Sequence, residues 1–217
     1  MFNAIIIGGT GATGFQLLNQ LIKNKNCNKV TLIGRKSCHL SNDKLVEVLI
    51  DSLFYLDSTI SYWKGNDVFF NCIGTTRKRA GSAENFIDIE LGISKIAARI
   101  ASKANIPHAS IISAAGANHN VWAKNWIHPL LYIKTMGQKE QTIISDFKFD
   151  FSTIFKPGFL IRKIKRKSIL LKYGLPVKIL AKAMMLNAED VFNRIEKRNI
   201  HYVIGNELIS NFFSKNT

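Results

Sequence analysis

Short apolar runs of strand length alternate along the chain with longer segments of helical periodicity. Seven runs are predicted to form strands: Asn3–Ile7, Val30–Ile33, Leu45–Ile50, Val68–Ile73, Ala109–Ser113, Phe151–Phe155 and His201–Ile204. Helices are predicted at Gly14–Lys25, Glu84–Ala104, Pro129–Asp146 and Val177–Lys197, the last with a break near Asn187. Continuously apolar strands separated by helices are typical of βαβ units. The pattern therefore predicts an α/β fold with a doubly wound parallel sheet.

The division into domains follows from what the sequence lacks. No internal repeat, Pro/Gly/Ser-rich linker or low-complexity tract interrupts the 217 residues, so we expect one domain over residues 1–217. Within it, residues from about 159 to 217 are expected to form a small helical cap over the cleft where a substrate would enter. The basic stretch Arg162–Lys172 is expected to be an exposed excursion of this cap.

The first predicted strand runs into a glycine-rich loop and then into a helix. The loop reads Gly8-Gly9-Thr10-Gly11-Ala12-Thr13-Gly14. Gly8 permits a tight turn, Gly11 lets the backbone approach a pyrophosphate, and Gly14 lets helix and strand pack closely. The spacing is G-x-x-G-x-x-G, and a glycine turn without any ligand is the alternative. At the first strand of an α/β chain, however, the loop indicates a Rossmann-type dinucleotide site.

The end of the second strand bears on the choice of cofactor. An NAD-specific site would place an acidic side chain there, on the ribose diol, but this chain has Gly34-Arg35-Lys36. A guanidinium and an ammonium at that position are suited to the 2′-phosphate of NADP. The alternative is a pair of ordinary surface cations. The sequence thus predicts NADP as the cofactor.

Two further segments are expected at the carboxyl edge of the sheet, where α/β proteins hold their ligands. Asp51 and Ser52 follow the third strand, and Asp51 could accept a hydrogen bond from the adenine amino group. The fourth strand ends in Cys72-Ile73-Gly74-Thr75, in which Gly74 would let the chain pass close to the cofactor. Cys72 is interpreted as a small core residue in preference to a redox centre.

Charge and cysteine content change this picture only slightly. The net charge is +15, and its densest run, Arg162–Lys167, has no interleaved aromatic residues, which favours a solvated loop over a polyanion contact and makes nucleic acid an unlikely partner. The cysteines Cys27, Cys38 and Cys72 lack metal-type pairing, and no His pair has metal-ligand spacing, so we expect no metal. With no secretory signal and no apolar run of the ~20 residues that a membrane span needs, we expect a cytoplasmic protein.

Several motifs together resemble the atypical, NADP(H)-binding branch of the short-chain dehydrogenase/reductase family, the branch typified by the Tat-interacting-protein oxidoreductase. The matching pieces are Gly8-x-Thr10-Gly11-Ala12-Thr13-Gly14, Leu32-Ile33-Gly34-Arg35, Asp67-Val68, Cys72-Ile73-Gly74-Thr75-Thr76-Arg77-x-x-Ala80-Gly81, Ser113-x-x-Gly116-Ala117, Leu131-Tyr132 with Gly137 and Glu140, and Phe155-Lys156-Pro157-Gly158. The segment Gly74–Gly81 is the most specific of them, because short-chain reductases at large do not share it.

The resemblance implies catalytic positions at Ser113 and Tyr132, with Pro157 near the nicotinamide. The family's motif is Tyr-x-x-x-Lys, but the fourth residue after Tyr132 is Met136. A lysine there would face the tyrosine, hold the nicotinamide ribose and lower the pKa of the phenol. Lys139 lies ~10 Å further along the helix axis. Tyr132 is therefore either a working acid or a residue that only lines the pocket.

Three functions are open at this point. The first is an NADPH-dependent oxidoreductase acting on an unidentified small carbonyl compound, with Tyr132 donating the proton and Ser113 assisting. The second is an NADP(H)-binding regulatory or interaction protein with little or no turnover, which Met136 favours. The third, a polyanion-binding module, depends on the net charge of +15 alone. The substrate, the direction of the reaction and the oligomeric state, monomer or dimer, stay open.

Overall fold

A computed structural model describes residues 1–162, 174–194 and 199–214 of the chain. The strands are β1 (Phe2–Ile7), β2 (Cys27–Gly34), β3 (Leu45–Leu49), β4 (Val68–Asn71), β5 (His108–Ile112), β6 (Phe151–Lys156), β7 (Leu160–Ile161), β8 (Leu175–Pro176) and β9 (Asn199–Ile204). Seven of them form one parallel sheet in the order β3-β2-β1-β4-β5-β6-β9. The short strands β7 and β8 pair separately. The predicted doubly wound α/β fold is confirmed.

Helices cover both faces of this sheet. They are α1 (Ala12–Lys23), a 3₁₀ helix (Leu53–Tyr62), α2 (Arg77–Ala80), α3 (Ala83–Ile87), a π-helical turn (Asp88–Gly92), α4 (Ile93–Lys103), α5 (His128–Gln141), a second π-helical turn (Thr142–Asp146), α6 (Val177–Phe192) and α7 (Asn206–Ser214). The 3₁₀ helix and α2 were not predicted from the sequence. Helix α3, the first π-helical turn and α4 follow one another without a break, which matches the single helix predicted there.

Consecutive residues of one strand belong to two different cores. In β1, Ile6 packs in a cluster with Leu17 of α1 and Met184 of α6, while Ile5 packs on the other face with Trp63 and Ala97. Each of these side chains is fully buried, and burying a residue of this size contributes ~1.5–3 kcal/mol. A strand buried on both faces must be apolar at every position, which explains the uninterrupted apolar runs of the sequence.

The break predicted near Asn187 is wrong. Helix α6 continues through Asn187 to Phe192, and the residues around Asn187, including Ala183 and Ala188, are buried. Packing of this face into the core stabilises the helix more than the weak helix propensity of one Asn destabilises it. The predicted end of this helix, Lys197, lies outside the described residues.

The predicted cap segment contributes in large part to the main domain. Helix α6 packs against α1, and β9 extends the sheet beside β6. The start of α7 reaches the carboxyl edge, where the Asn206 side-chain oxygen accepts a hydrogen bond from the Gly158 amide at 3.0 Å. Of the basic stretch Arg162–Lys172, Arg162 is described and exposed, and the other positions lie outside the described residues.

The strand order reverses between β1 and β4. The chain proceeds from β1 to β2 and β3 on one side of the sheet, and from β4 to β5, β6 and β9 on the other. Because the loops after β1 and β4 leave in opposite directions, a crevice opens at their carboxyl ends, and this is the usual ligand site of such sheets. Among the described helices, none is long and apolar enough to cross a membrane.

Candidate cofactor and active site

The glycine loop after β1 has different steric requirements at its three motif positions. Gly8 has a φ of +76°, and a side-chain carbon added to it would lie 2.6 Å from the Cys72 carbonyl. A carbon added to Gly14 would lie 2.3 Å from the Gly8 oxygen. At Gly11 the nearest atom to such a carbon is the same oxygen, at 3.1 Å. The fold itself therefore requires glycine at positions 8 and 14, whereas a side chain at Gly11 would meet one backbone oxygen in a tight contact that a small shift could relieve.

Helix α1 starts inside this loop and leaves its first amides available. Gly11 is the N-cap residue and contributes no side-chain cap. Thr10, Gly11 and Ala12 are exposed, while Thr13 and Gly14 are buried. Uncapped amides at a helix N-terminus carry a partial positive charge and are suited to an anion.

A cavity of about 400 Å³ opens at the crevice between β1 and β4, a size within the usual range of small-molecule sites. Its wall includes these predicted residues: Gly8, Thr10, Gly11, Arg35, Lys36, Ser52, Cys72, Ile73, Gly74 and Thr75. It also includes Gly34 and five residues that the sequence did not indicate: Leu53, Phe54, Arg79, Ile89 and Ile93. None of these residues carries a carboxylate.

The polar residues at the outer end of this cavity differ in whether their side chains are free to contact a ligand. Arg35 and Lys36 are both exposed, and within the described parts of the chain neither forms an ion pair. The Ser52 hydroxyl accepts a hydrogen bond from the Phe54 amide at 3.3 Å and so caps the 3₁₀ helix. Asp51, predicted to contact adenine, is exposed next to Ser52 and does not line the cavity.

A buried ion pair lies behind the cavity wall and was not found from the sequence. Lys139 of α5 donates to Glu90 at 3.1 Å and to the Ile73 carbonyl at 2.8 Å, and Glu90 accepts from the Thr75 amide at 2.6 Å. Lys139 is 0% and Glu90 2% exposed. One signal was available: Glu90 follows Phe86 by four residues, on the apolar stripe of its helix. A charge at a core position requires a buried partner.

Cys72 lies at the cavity wall, and its surroundings favour the protonated thiol. Burial raises the pKa of its thiol to about 12, and the nearby Lys139 lowers it only in part. A thiol with this pKa is almost fully protonated at neutral pH, and the thiolate is the reactive form. These observations favour the interpretation of Cys72 as a small core residue.

Ser113 is part of a second buried polar network. Its hydroxyl donates to Glu140 at 2.5 Å, and Glu140 is in turn paired with Lys156 at 2.8 Å. Lys156 also donates to the Ala117 carbonyl at 3.2 Å. Ser113 is only 3% exposed. The serine proton is therefore directed at a carboxylate of α5, which leaves the lone pairs of the hydroxyl oxygen for any other partner.

Tyr132, the other predicted catalytic residue, is not hydrogen-bonded to Ser113. Its ring is 41% exposed and lies beside the ring of Phe86, with centroids 6.1 Å apart. Partial burial raises the pKa of the phenol, the carboxylate of Glu90 raises it further, and Arg162 lowers it in part. Among the residues that the structure describes, the groups around Tyr132 therefore leave the pKa of its phenol above the ordinary value, even with Arg162 nearby.

No described lysine takes the place of the one missing at position 136. Met136 is buried, with 3% exposure. The ammonium of Lys139 is held by Glu90 and Ile73, and that of Lys156 by Glu140 and Ala117.

The loop after β5 packs closely on α5. A side-chain carbon at Gly137 would lie 2.2 Å from the His119 amide nitrogen, so this contact needs a glycine. His119 itself is exposed, and its ring nitrogen Nδ1 lies 3.3 Å from the side-chain nitrogen Nε2 of Gln141. Pro157 is buried, and its carbonyl accepts a hydrogen bond from Ala115 at 2.9 Å. These contacts bring the ends of β5 and β6 together beside α5.

A comparison with known sequences is consistent with this geometry. Residues 8–185 match the NAD(P)H-binding family. The chain belongs to that family. The match includes the glycine loop, both buried ion pairs and most of α6, and it supports a nicotinamide dinucleotide as the cofactor.

Individual relatives come from yeasts and a mammal. Protein FMP52-2, mitochondrial, of Scheffersomyces stipitis is 35% identical over 159 residues, which are 73% of this chain and 66% of that protein. Protein FMP52, mitochondrial, of Debaryomyces hansenii is 32% identical over 182 residues, 81% and 76% of the two chains. Protein HTATIP2 of Rattus norvegicus is 29% identical over 161 residues, 73% and 63% of the two chains. The chain spans just under two thirds of the first and last of these. The resemblance to the atypical reductase branch is confirmed.

Solved structures share the fold at lower sequence identity. The oxidoreductase ylbE from Lactococcus lactis has a TM-score of 0.70 at 15% identity and covers 98% of this chain and 95% of its own. The enzyme WbmH from Bordetella bronchiseptica, in complex with NAD+, has a TM-score of 0.64 at 16% identity, with 88% and 72% covered.

The cytoplasmic location expected from the sequence is wrong. Relatives from Scheffersomyces stipitis, Meyerozyma guilliermondii and Candida albicans are named as mitochondrial proteins. The expectation came from the lack of a secretory signal and from unpaired cysteines, and mitochondrial proteins can have both features. Neither feature therefore distinguishes a cytoplasmic protein from a mitochondrial one.

Proposed function

We propose that this chain is an NADP(H)-dependent oxidoreductase that reduces a small carbonyl compound slowly. The observation that carries the proposal is the composition of the cavity between β1 and β4. One side is the glycine loop, and the outer end carries Arg35 and Lys36. Among the described residues, neither cation has an ion-pair partner and no carboxylate lines the wall. An arginine and a lysine without acidic partners are suited to a phosphate monoester.

Different residues of the crevice would bind different parts of the cofactor. The pyrophosphate would lie against Gly11 and the first amides of α1, and the 2′-phosphate against Arg35 and Lys36. Asp51 and Ser52 would flank the adenine. When bound, the cofactor supplies a hydride from its nicotinamide, and the protein supplies binding, orientation and a proton.

The remaining cofactor contacts would come from both ends of the crevice. Near the pyrophosphate, the contacts would be made by residues of the glycine loop: Gly8, Thr10, Ala12, Thr13 and Gly14. Further along the cofactor, they would be made by Cys72, Ile73, Gly74 and Thr75, with Pro157 beside the nicotinamide. Most of these residues offer backbone atoms, which explains why small side chains dominate this group.

Tyr132 is the proposed proton donor, and its surroundings explain why turnover would be slow. General acids work best when their pKa lies near the working pH. Burial and Glu90 raise the pKa of Tyr132 above its ordinary value, and Met136 provides no cation to lower it. Ser113 can still orient a substrate, although its own proton is directed at Glu140.

A second candidate is an NADP(H)-binding regulatory or interaction protein without turnover. The observation that favours it is the pairing of both buried lysines of the site, Lys139 with Glu90 and Lys156 with Glu140. Neither ammonium is free to assist a tyrosine or to hold a ribose.

The two candidates differ in whether NADPH is consumed. The oxidoreductase should oxidise NADPH slowly with an aldehyde or a quinone as the probe, and Tyr132→Phe should abolish this rate. The matched control is Tyr55→Phe, because Tyr55 is 64% exposed on the 3₁₀ helix and should leave the rate unchanged. Tight NADPH binding without any consumption would favour the second candidate. A rate indifferent to Tyr132→Phe would mean that the proton comes from another group.

A further inference from the structure

A third cation lines the cofactor cavity from the side of β4. Arg79, on the short helix α2, is exposed and belongs to the cavity wall. Arg35 and Lys36 follow β2, which pairs with the opposite side of β1. The crevice therefore has cations on both of its sides. Within the described parts of the chain Arg79 has no ion-pair partner.

The segment that carries Arg79 is fixed at both of its ends. At the start, Glu90 accepts from the Thr75 amide at 2.6 Å, and Thr76 caps α2 by accepting from the Arg79 amide at 3.3 Å. At the end, the Asn85 side chain donates to the Ala80 carbonyl at 3.1 Å. These hydrogen bonds hold the backbone of the segment, so less conformational freedom is lost when the Arg79 side chain binds a ligand.

The nearest buried carboxylate to this segment does not cancel the charge of Arg79. Glu90 lies behind the wall, accepts from the Thr75 amide and is neutralised by Lys139 at 3.1 Å. As far as the chain is described, the cavity thus presents three cations without ion-pair partners and no acid to a ligand. Guanidinium groups in such a setting bind phosphate oxygens well.

We propose that Arg79 is a second anion-binding residue of the cofactor site and contacts a cofactor phosphate from the side opposite Arg35. This inference depends on the proposed function for the identity of the ligand. The phosphate is either the 2′-phosphate or the pyrophosphate, and both present the same oxygens to a guanidinium.

The neighbouring cations of α2 supply the controls. Lys78 is exposed but does not line the cavity, and Arg77 is half-buried near Glu84. A long-range effect of charge would act almost equally through Lys78 and Arg79. A direct contact would act through Arg79 alone.

The test is calorimetric titration of wild type, Arg79→Ala and Lys78→Ala with NADPH and with NADH. We expect Arg79→Ala to weaken NADPH binding at least tenfold and Lys78→Ala to change it less than about twofold. Unchanged NADH binding in Arg79→Ala would support a contact with the 2′-phosphate, and equal weakening of NADH would support a contact with the pyrophosphate. Arg79→Lys should restore part of the affinity.

Other outcomes overturn the inference in distinguishable ways. Wild-type affinities for both cofactors in Arg79→Ala would overturn the role of Arg79 and leave the proposed function intact. Equal losses of NADPH affinity in Arg79→Ala and Lys78→Ala would also overturn the inference, since a long-range effect of charge would explain both. A wild-type protein that binds neither cofactor would overturn the proposed function together with the inference. A thermal melt of each variant checks that folding is unchanged, as expected for exposed side chains.

Discussion

Single residues of the glycine loop separate the demands of the fold from those of a ligand. Gly8 and Gly14 are in contact with backbone atoms of their own chain, at 2.6 and 2.3 Å from where a side chain would begin. Gly11 faces open space apart from one oxygen at 3.1 Å. The fold thus restricts position 11 less severely than positions 8 and 14, which leaves more of the reason for its glycine to the proposed approach of the pyrophosphate.

Valine substitutions in this loop should therefore have opposite consequences. Gly11→Val should abolish NADPH binding, because its branched side chain fills the place proposed for the pyrophosphate. It should lower the free energy of unfolding only moderately, because the added carbon meets the Gly8 oxygen at 3.1 Å and valine is a poor N-cap residue. Gly14→Val should destabilise the protein strongly, because it collides with the Gly8 carbonyl. Urea unfolding and NADPH calorimetry measure the two effects. A folded Gly11→Val protein with undiminished NADPH affinity would contradict the assignment of the loop.

The pKa of Tyr132 sets the expected dependence of turnover on pH. A phenol whose pKa is raised above the ordinary ~10 stays protonated across the neutral range, so the acid is present but donates its proton poorly. Any rate of NADPH oxidation should be flat from about pH 6 to about pH 9. Met136→Lys should lower the pKa of the phenol, raise the rate near neutrality and bring a decline at alkaline pH into view.

The Met136→Lys variant needs a control, because it places a new side chain in a buried position. Met136 is 3% exposed, so an uncharged substitution of similar length, Met136→Gln, controls for the disturbance of packing. If the NADPH oxidation rate of the wild-type protein already fell between about pH 6 and about pH 9, this result would contradict a raised pKa of Tyr132.

At the scale of elements, helix α5 connects the two halves of the site through opposite charges. Lys139 reaches to Glu90 beside the cofactor cavity, and the next residue, Glu140, reaches to Lys156 and Ser113 beside the end of β6. Both ion pairs are almost completely buried. A buried pair contributes little net stability, but removal of one partner leaves a charge without compensation.

Removal of Lys139 should therefore be costly. Lys139→Met should lower the free energy of unfolding by ~3–5 kcal/mol, because Glu90 would remain buried and unpaired. The double substitution Glu90→Gln with Lys139→Met should recover much of this loss. Lys95→Ala is the control, because its contact with Asp146 is long, at 3.9 Å, and exposed, and such pairs contribute ~0–1 kcal/mol. Equal and small losses for Lys139→Met and Lys95→Ala in urea unfolding would contradict the role of the pair.

At the scale of the whole molecule, the fold was predictable and the polar interior was not. The strands of the sheet followed from continuous apolar runs, because burial on both faces leaves this direct trace in a sequence. The glycine loop at the end of β1 followed from local glycine spacing. The ion pair of Lys139 and Glu90 joins residues 49 positions apart, and no local pattern encodes such a partner. The break expected at Asn187 was wrong because its packing is a tertiary effect that local propensity does not contain.

The core also makes a prediction for all three cysteines. Burial raises the pKa of Cys27 to about 11 and that of Cys72 to about 12, and it raises the pKa of Cys38 as well. At pH 8 the thiolate fraction of Cys72 is on the order of one in ten thousand. Ellman's reagent should therefore react very slowly with the native protein and quickly with all three thiols in denaturant. Rapid labelling of Cys72 in the native protein would contradict the raised pKa of its thiol.

We propose that the cavity between β1 and β4 binds NADP(H) through its glycine loop and selects it through Arg35. The most direct test is calorimetric titration of the wild-type protein with NADPH and with NADH, repeated with Arg35→Ala. We expect wild type to prefer NADPH by about tenfold to a hundredfold, and Arg35→Ala to lose most of this preference while its NADH affinity stays the same. Equal affinity of the wild-type protein for both cofactors, or an NADPH preference that survives Arg35→Ala unchanged, would contradict it.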